Sequence, residues 1–122
     1  MSKILIIDDD PSNREILRAR LEKAGHEVLE ASNGEEGIHM AEEIMPDLVF
    51  LDVMMPKVDG LQVCRQIKAT PKTAKIPVIM LTAADQQIDK LRGWESGADE
   101  FMAKPWDAVK LLELVDKWCH VA

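Results

Sequence analysis

Short apolar runs rich in β-branched residues alternate along the chain with longer stretches of helical spacing. The runs lie at 4–7, 28–31, 48–51, 78–81 and 101–103. Between them, apolar residues recur at helical intervals. Leu17, Leu21 and Ala24 form the first stripe, and Ile38, Ala41 and Met45 the second. Gly60, Cys64 and Ile67 follow, then Ile88, Leu91 and Trp94, and last Leu111, Val115 and Trp118. Cap and turn residues fall at the borders. Pro11-Ser12 suits a helix start and Gly25 its end; Asn33-Gly34 opens the second helix and Pro46 stops it. Asp59 reads as the N-cap of the third helix, which Thr70-Pro71 ends; Gly97 closes the fourth, and Pro105 admits the fifth. Five strands alternating with five helices predict one parallel sheet with helices on both faces. The unbroken apolar runs at 4–7 and 48–51 suit strands buried on both faces.

Composition narrows the class. The 122 residues suit one domain with one core, and 47% apolar with 30% charged residues is a globular mixture. Fifteen Lys and Arg against 22 Asp and Glu give a formal charge of −7, which opposes non-specific binding to nucleic acid or to an anionic membrane. Cys64 and Cys119 make neither a disulfide framework nor a metal site. The N-terminal apolar run is too short for a signal peptide, and none reaches membrane-spanning length. The expected setting is reducing, soluble and cytoplasmic.

The polar residues that follow the strands carry the chemistry. Asp8, Asp9 and Asp10 follow the first strand, Asp52 the third, Thr82 the fourth and Lys104 the fifth. A parallel sheet brings all its carboxyl ends to one edge, where ligands bind at the point of strand-order reversal. Carboxylates gathered there repel one another unless a cation intervenes. Mg²⁺ suits the set, because it needs one or two carboxylates and a phosphate oxygen and keeps its waters; Mn²⁺ has the same taste for oxygen. A carboxylate can also attack phosphorus to form an acyl phosphate. With the metal on one phosphoryl oxygen, Lys104 and the Thr82 hydroxyl would take the other two. Asp10 reads as a helix cap. The scattered His26, His39 and His120 read as surface residues, with no partner at metal-ligand spacing. Met40, Met45, Met54, Met55, Met80 and Met102 read as core or rim fillers, and Trp118 as core. Trp94 and Trp106 are candidates for an exposed output face.

Four motifs in order resemble the response-regulator receiver domain of the CheY-like type. They are Ile-Leu-Ile-Ile-Asp-Asp-Asp-Pro at 4–11, Leu-Val-Phe-Leu-Asp-Val-Met-Met-Pro-Lys-Val-Asp-Gly at 48–60, Ile-Pro-Val-Ile-Met-Leu-Thr-Ala at 76–83 and Gly-Ala-Asp-Glu-Phe-Met-Ala-Lys-Pro at 97–105. The resemblance covers the whole chain, 1–122, as a single receiver. It implies a doubly wound, flavodoxin-like (βα)5 fold with strand order 2-1-3-4-5. It implies Asp52 as phosphoryl acceptor, Asp9 as a direct Mg²⁺ ligand, Asp8 acting through metal-bound water, and the Met54 backbone carbonyl completing the coordination. Thr82 and Phe101 would be the switch pair, Lys104 would pair with the phosphoryl group, and Lys104-Pro105 would be a cis peptide. A histidine kinase or phosphotransfer protein would donate the phosphoryl group. The helix 4–strand 5–helix 5 face would then select an output partner, making the domain a switch rather than an enzyme of metabolism.

Two departures matter. The switch aromatic is Phe101, and the chain has no Tyr, so that ring cannot donate a hydrogen bond. Met54 and Ala84, two residues beyond Asp52 and Thr82, occupy positions that tune water access in this family; both are apolar, so slow self-dephosphorylation is expected. The chain stops just after the fifth helix, leaving no room for an effector. An alternative is therefore a receiver cut from a larger regulator with a DNA-binding or cyclic-dinucleotide synthase output; 63–68 and 95–99 resemble such receivers. An Asp-nucleophile phosphatase would need an acid where Met54 stands. A flavodoxin-like cofactor binder would need a Ser/Thr/Gly-rich phosphate loop where 8–10 are acids. A scaffold-only pseudo-receiver would not need the intact acid, Thr and Lys set.

Overall fold

The computed structural model describes residues 2–53, 60–83, 95–104 and 108–119, with backbone alone for Thr82, Ala83 and Lys104. Five strands, β1 (Lys3–Ile7), β2 (Glu27–Ala31), β3 (Leu48–Asp52), β4 (Val78–Ala83) and β5 (Glu100–Lys104), pair in parallel in the order β2-β1-β3-β4-β5. Four helices are described: α1 (Pro11–Lys23), α2 (Gly34–Ile44), α3 (Gly60–Ala69) and α4 (Ala108–Trp118). The last is the fifth helix of the sequence pattern. The fourth, with Ile88, Leu91 and Trp94, lies outside the described residues. No described helix is long and apolar enough to cross a membrane.

Side chains alternate across a strand, and that alternation divides the core in two. Leu5, Ile7, Val49, Leu51, Val78 and Met80 face α2 and α3, meeting Ala41, Val63, Cys64 and Ile67. Ile4, Ile6, Leu48, Phe50, Ile79 and Leu81 face the other way, onto Leu17 and Leu21 of α1 and Leu111, Leu114 and Val115 of α4. Every residue of β3 is buried, as a central strand covered on both faces requires. Each large apolar side chain fully buried this way contributes roughly 1.5–3 kcal/mol. The doubly wound sheet expected from the sequence is thus present.

Most boundaries follow the predicted punctuation. Asp10 is the N-cap of α1, accepting from the Ser12 N–H at 2.9 Å, with Pro11 in the first turn. Asn33 caps α2 through the Glu36 N–H at 2.9 Å. Two stripe residues need correction. Ala24 is the exposed C-cap of α1, its N–H closing the last turn onto Arg20 and Leu21. Met45, expected to fill the core or the site's rim, caps α2 in the left-handed conformation and is 40% exposed; Pro46 cannot continue the helix, so the chain turns one residue earlier. The strands also run further than the apolar runs. Pairing of Asp52 with Leu81, Thr82 with Ala103 and Ala83 with Lys104 carries the ladder into the polar residues.

Polar clamps hold the ends of the sheet. At the amino edge, Lys68 of α3 donates to Asp99 and to the Ile76 carbonyl, each at 2.7 Å, while Asp99 accepts the Val78 N–H at 2.9 Å. Beside α4, partial burial pushes the Glu100 carboxyl up, but the Lys117 ammonium 2.8 Å away overrides this, and the Phe101 backbone assists. The net result lies below the usual carboxylate range.

Candidate functional site

The chain leaves β1 for β2 on one side and returns to β3 on the other, so the strand order reverses between β1 and β3. A crevice opens there at the carboxyl edge. Asp8 and Asp9 leave β1 into it, and Asp52 ends β3 beside them. Asp8 is fully buried, Asp52 is 4% exposed and Asp9 faces solvent. Each offers a carboxylate oxygen, and these oxygens all lie within 4.8 Å of one another.

The local chain explains how the acids are held. The Asp8 N–H extends the β1–β2 ladder onto the Ala31 carbonyl at 3.1 Å. Its Oδ1 accepts the Asp10 N–H at 2.9 Å, which turns the chain into α1. Its carbonyl accepts from Arg14 Nη1 at 2.7 Å. Just before it, Ile7 lies under α2, where a Cβ on Gly37 would stand 2.5–2.9 Å from three Ile7 side-chain atoms. Only glycine lets that helix settle so close to the acid strand.

Gly60 does the same for Asp52. Its N–H donates to the Val53 carbonyl at 3.2 Å, and a Cβ there would press on the Asp52 carbonyl and stand 2.8 Å from Val53 Cα. Gly60→Ala is therefore expected to destabilise the domain by on the order of 1–2 kcal/mol through overpacking. Helix propensity alone would give the opposite sign, since Ala outranks Gly. Urea unfolding decides; an unchanged or raised midpoint would refute the close-approach reading.

Three carboxylates so close repel one another, more strongly between the buried Asp8 and Asp52 than towards the exposed Asp9. A hard divalent cation with oxygen ligands is their natural counter-charge, and Mg²⁺ needs no more protein than this. Among the described residues this is the acid cluster able to hold a metal ion. The thiols look inert by comparison: burial pushes both Cys64 and Cys119 up, opposite to what a nucleophile needs.

The other expected site residues divide. Thr82 and Lys104 lie at the same sheet edge by backbone register. Phe101, beside Met80 in the ladder, is half-buried against the α2–α3 core. Met54, Ala84 and Pro105, and with them the expected metal-binding carbonyl, water-tuning pair and cis peptide, lie outside the described residues, as do Asp59, Trp94, Trp106 and His120. His26 is half-buried, its Nδ1 accepting from the Ser2 N–H at 3.2 Å, and His39 is exposed beside Glu43; neither approaches the acids. Sequence reasoning passed over Arg14 and Glu30, which meet at 3.2 Å behind Asp8. They are 16 residues apart, and the packing of α1 against β2 brings them together.

A doubly wound parallel α/β domain with clustered acids at its strand-order reversal has the parts to handle a phosphoryl group through a divalent cation. A family model described as "Response regulator receiver domain" matches residues 4–116, and the chain belongs to that family. It is 46% identical over 115 residues to the DNA-binding dual master transcriptional regulator RpaA of Synechocystis sp., covering 94% of this chain and 48% of RpaA. It is 42% identical over 116 residues to Protein PilH of Pseudomonas aeruginosa, covering 95% of this chain and 96% of PilH. The chain thus spans about half the length of the first relative and nearly all of the second. Among solved structures, the receiver domain of a Pseudomonas aeruginosa sensor histidine kinase superposes with a TM-score of 0.91 at 28% identity, covering 98% of both chains; it holds a magnesium ion coordinated in its active-site cleft. Receiver domains act as phosphorylation-dependent switches in two-component signalling and bind Mg²⁺ at an acidic pocket.

Proposed function

We propose that this chain is a single receiver over residues 1–122 in which Asp52 accepts a phosphoryl group from a histidine kinase or phosphotransfer protein. The observation that carries this is the meeting of Asp8, Asp9 and the buried Asp52 within 4.8 Å, from two separate strand ends. An Asp52 carboxylate oxygen attacks the phosphorus of a phosphohistidine; the P–N bond breaks, the imidazole leaves, and an acyl phosphate remains. Asp9, Asp52 and the Met54 carbonyl would hold Mg²⁺ directly and Asp8 through metal-bound water, and the ion would supply neutralisation of the transferring charge. Lys104 pairs with a second phosphoryl oxygen and the Thr82 hydroxyl bonds a third. The movement of Thr82 frees space for Phe101 to rotate inward, which reshapes the β5–α4 side of the domain for an output partner.

Beryllofluoride with Mg²⁺ tests this switch. Amide shifts in NMR spectra should spread from Asp52 to Phe101 and α4; shifts confined to the acid loop would refute the coupling. The apolar Met54 and Ala84 leave no side chain to orient an attacking water, so the acyl phosphate should persist for minutes or longer without a phosphatase. Loss within seconds, followed by intact mass, would contradict that.

A second reading concerns output. RpaA is described as DNA-binding, and this chain spans 48% of it, whereas PilH is matched over 96% of its own length. The reading frame decides, by a following output domain or a stop codon.

A further inference from the structure

We propose that Arg14 is a positioning residue for the divalent-cation site, fixing the acid loop through the Asp8 carbonyl, and that Glu30 holds Arg14 in place. The inference rests on the reading of Asp8 and Asp9 as Mg²⁺ ligands and adds residues that do not touch the ion. Two of the described anchors on Asp8 are local backbone features, the ladder bond to Ala31 and the turn bond from Asp10. The third comes from a long side chain: the Arg14 guanidinium donates to the Asp8 carbonyl at 2.7 Å, a short, charge-assisted bond.

Arg14 is itself constrained. Its Nε donates to Glu30 Oε1 at 3.2 Å, and the two side chains are only 17% and 26% exposed. The other Glu30 oxygen accepts from Arg18 Nη1 at 2.6 Å, and Arg18 is braced by Glu22 at 3.2 Å. Glu30 stands opposite Ile6 in the β1–β2 ladder, so the brace ties α1 and the edge strand to the point where the acids leave β1. The Asp8 carbonyl belongs to the peptide joining Asp8 to Asp9. Fixing that peptide fixes the direction in which both carboxylates leave the chain. Mg²⁺ demands near-ideal octahedral geometry, and partners that orient metal ligands typically matter 10–100-fold in affinity.

Electrostatics predicts the opposite sign, which makes the idea testable. Removing a cation beside a cation site, and leaving Glu30 behind, should tighten Mg²⁺ binding by Coulomb attraction alone. Positioning predicts weaker binding. Mg²⁺ titration followed by amide chemical shifts, on proteins with matching far-UV circular dichroism, should give about tenfold weaker affinity for Arg14→Met. Arg14→Lys keeps a donor for the carbonyl but loses the fork to Glu30 and should fall between; Glu30→Gln should show a smaller loss. Arg14→Met binding as tightly as wild type, or tighter, would overturn the proposal. Should Arg14→Met not fold, wild-type affinity in both Arg14→Lys and Glu30→Gln would overturn it equally. Asp9→Asn separates the two levels. Loss of binding there with wild-type affinity in Arg14→Met sinks only the role of Arg14; no saturable Mg²⁺ binding by the wild type sinks the site reading and this inference together.

Discussion

Asp52→Asn is expected to abolish labelling by acetyl phosphate while leaving the fold intact. The amide keeps the shape of a side chain that is 4% exposed at the end of β3, but its oxygen and nitrogen are poor nucleophiles towards phosphorus. Structure should survive, because the substitution removes one of three mutually repelling charges and no core packing. Intact-mass spectrometry gives the labelling, and far-UV circular dichroism the fold. Undiminished labelling would move the acceptor role to Asp8 or Asp9, whose oxygens lie within 4.8 Å.

Asp8→Asn is expected to raise the stability of the metal-free protein and to lose the gain that Mg²⁺ gives the wild type. Asp8 is fully buried beside two other carboxylates. Its Oδ1 accepts the Asp10 N–H, a role an Asn oxygen can keep. Relief of repulsion, after solvent screening at the exposed Asp9, should be worth about 1 kcal/mol, or roughly 4 °C in Tm for a domain this size. In the wild type, Mg²⁺ at one hundred times its Kd should add about 2.7 kcal/mol by mass action. Thermal melts in chelator and in saturating Mg²⁺ should therefore cross: the variant more stable without metal, the wild type with it. Parallel shifts in the two proteins would show that the acids do not act as a cation site.

Periodicity carried most of the fold. The apolar runs located all five strands, and the 3.6-residue stripes located the four described helices. The helix ends were less legible. Nothing in the spacing of Ile38, Ala41 and Met45 distinguishes a last core residue from a cap, and Pro46 decided it. Strand ends were hidden for a related reason: Asp52 and Thr82 are polar, and backbone pairing carries β3 and β4 into them regardless. The acids of the site were legible because parallel strands share an edge, so residues distant in sequence converge by topology. Arg14 and Glu30 were not, since a charged residue on a helix and another on an edge strand look like surface. Their pairing depends on the packing of α1 against β2. Gly60 reads as a stripe member in the sequence and Gly37 carries no signal there, yet what both permit is close approach, which only the packed neighbours reveal.

The most direct test is wild-type labelling by acetyl phosphate with and without Mg²⁺, read by intact mass and mapped by peptide analysis. One phosphoryl group on Asp52 in Mg²⁺ and none in chelator is the expected result. Equal labelling in chelator, or a phosphoryl group mapped away from Asp52, would contradict the proposed site.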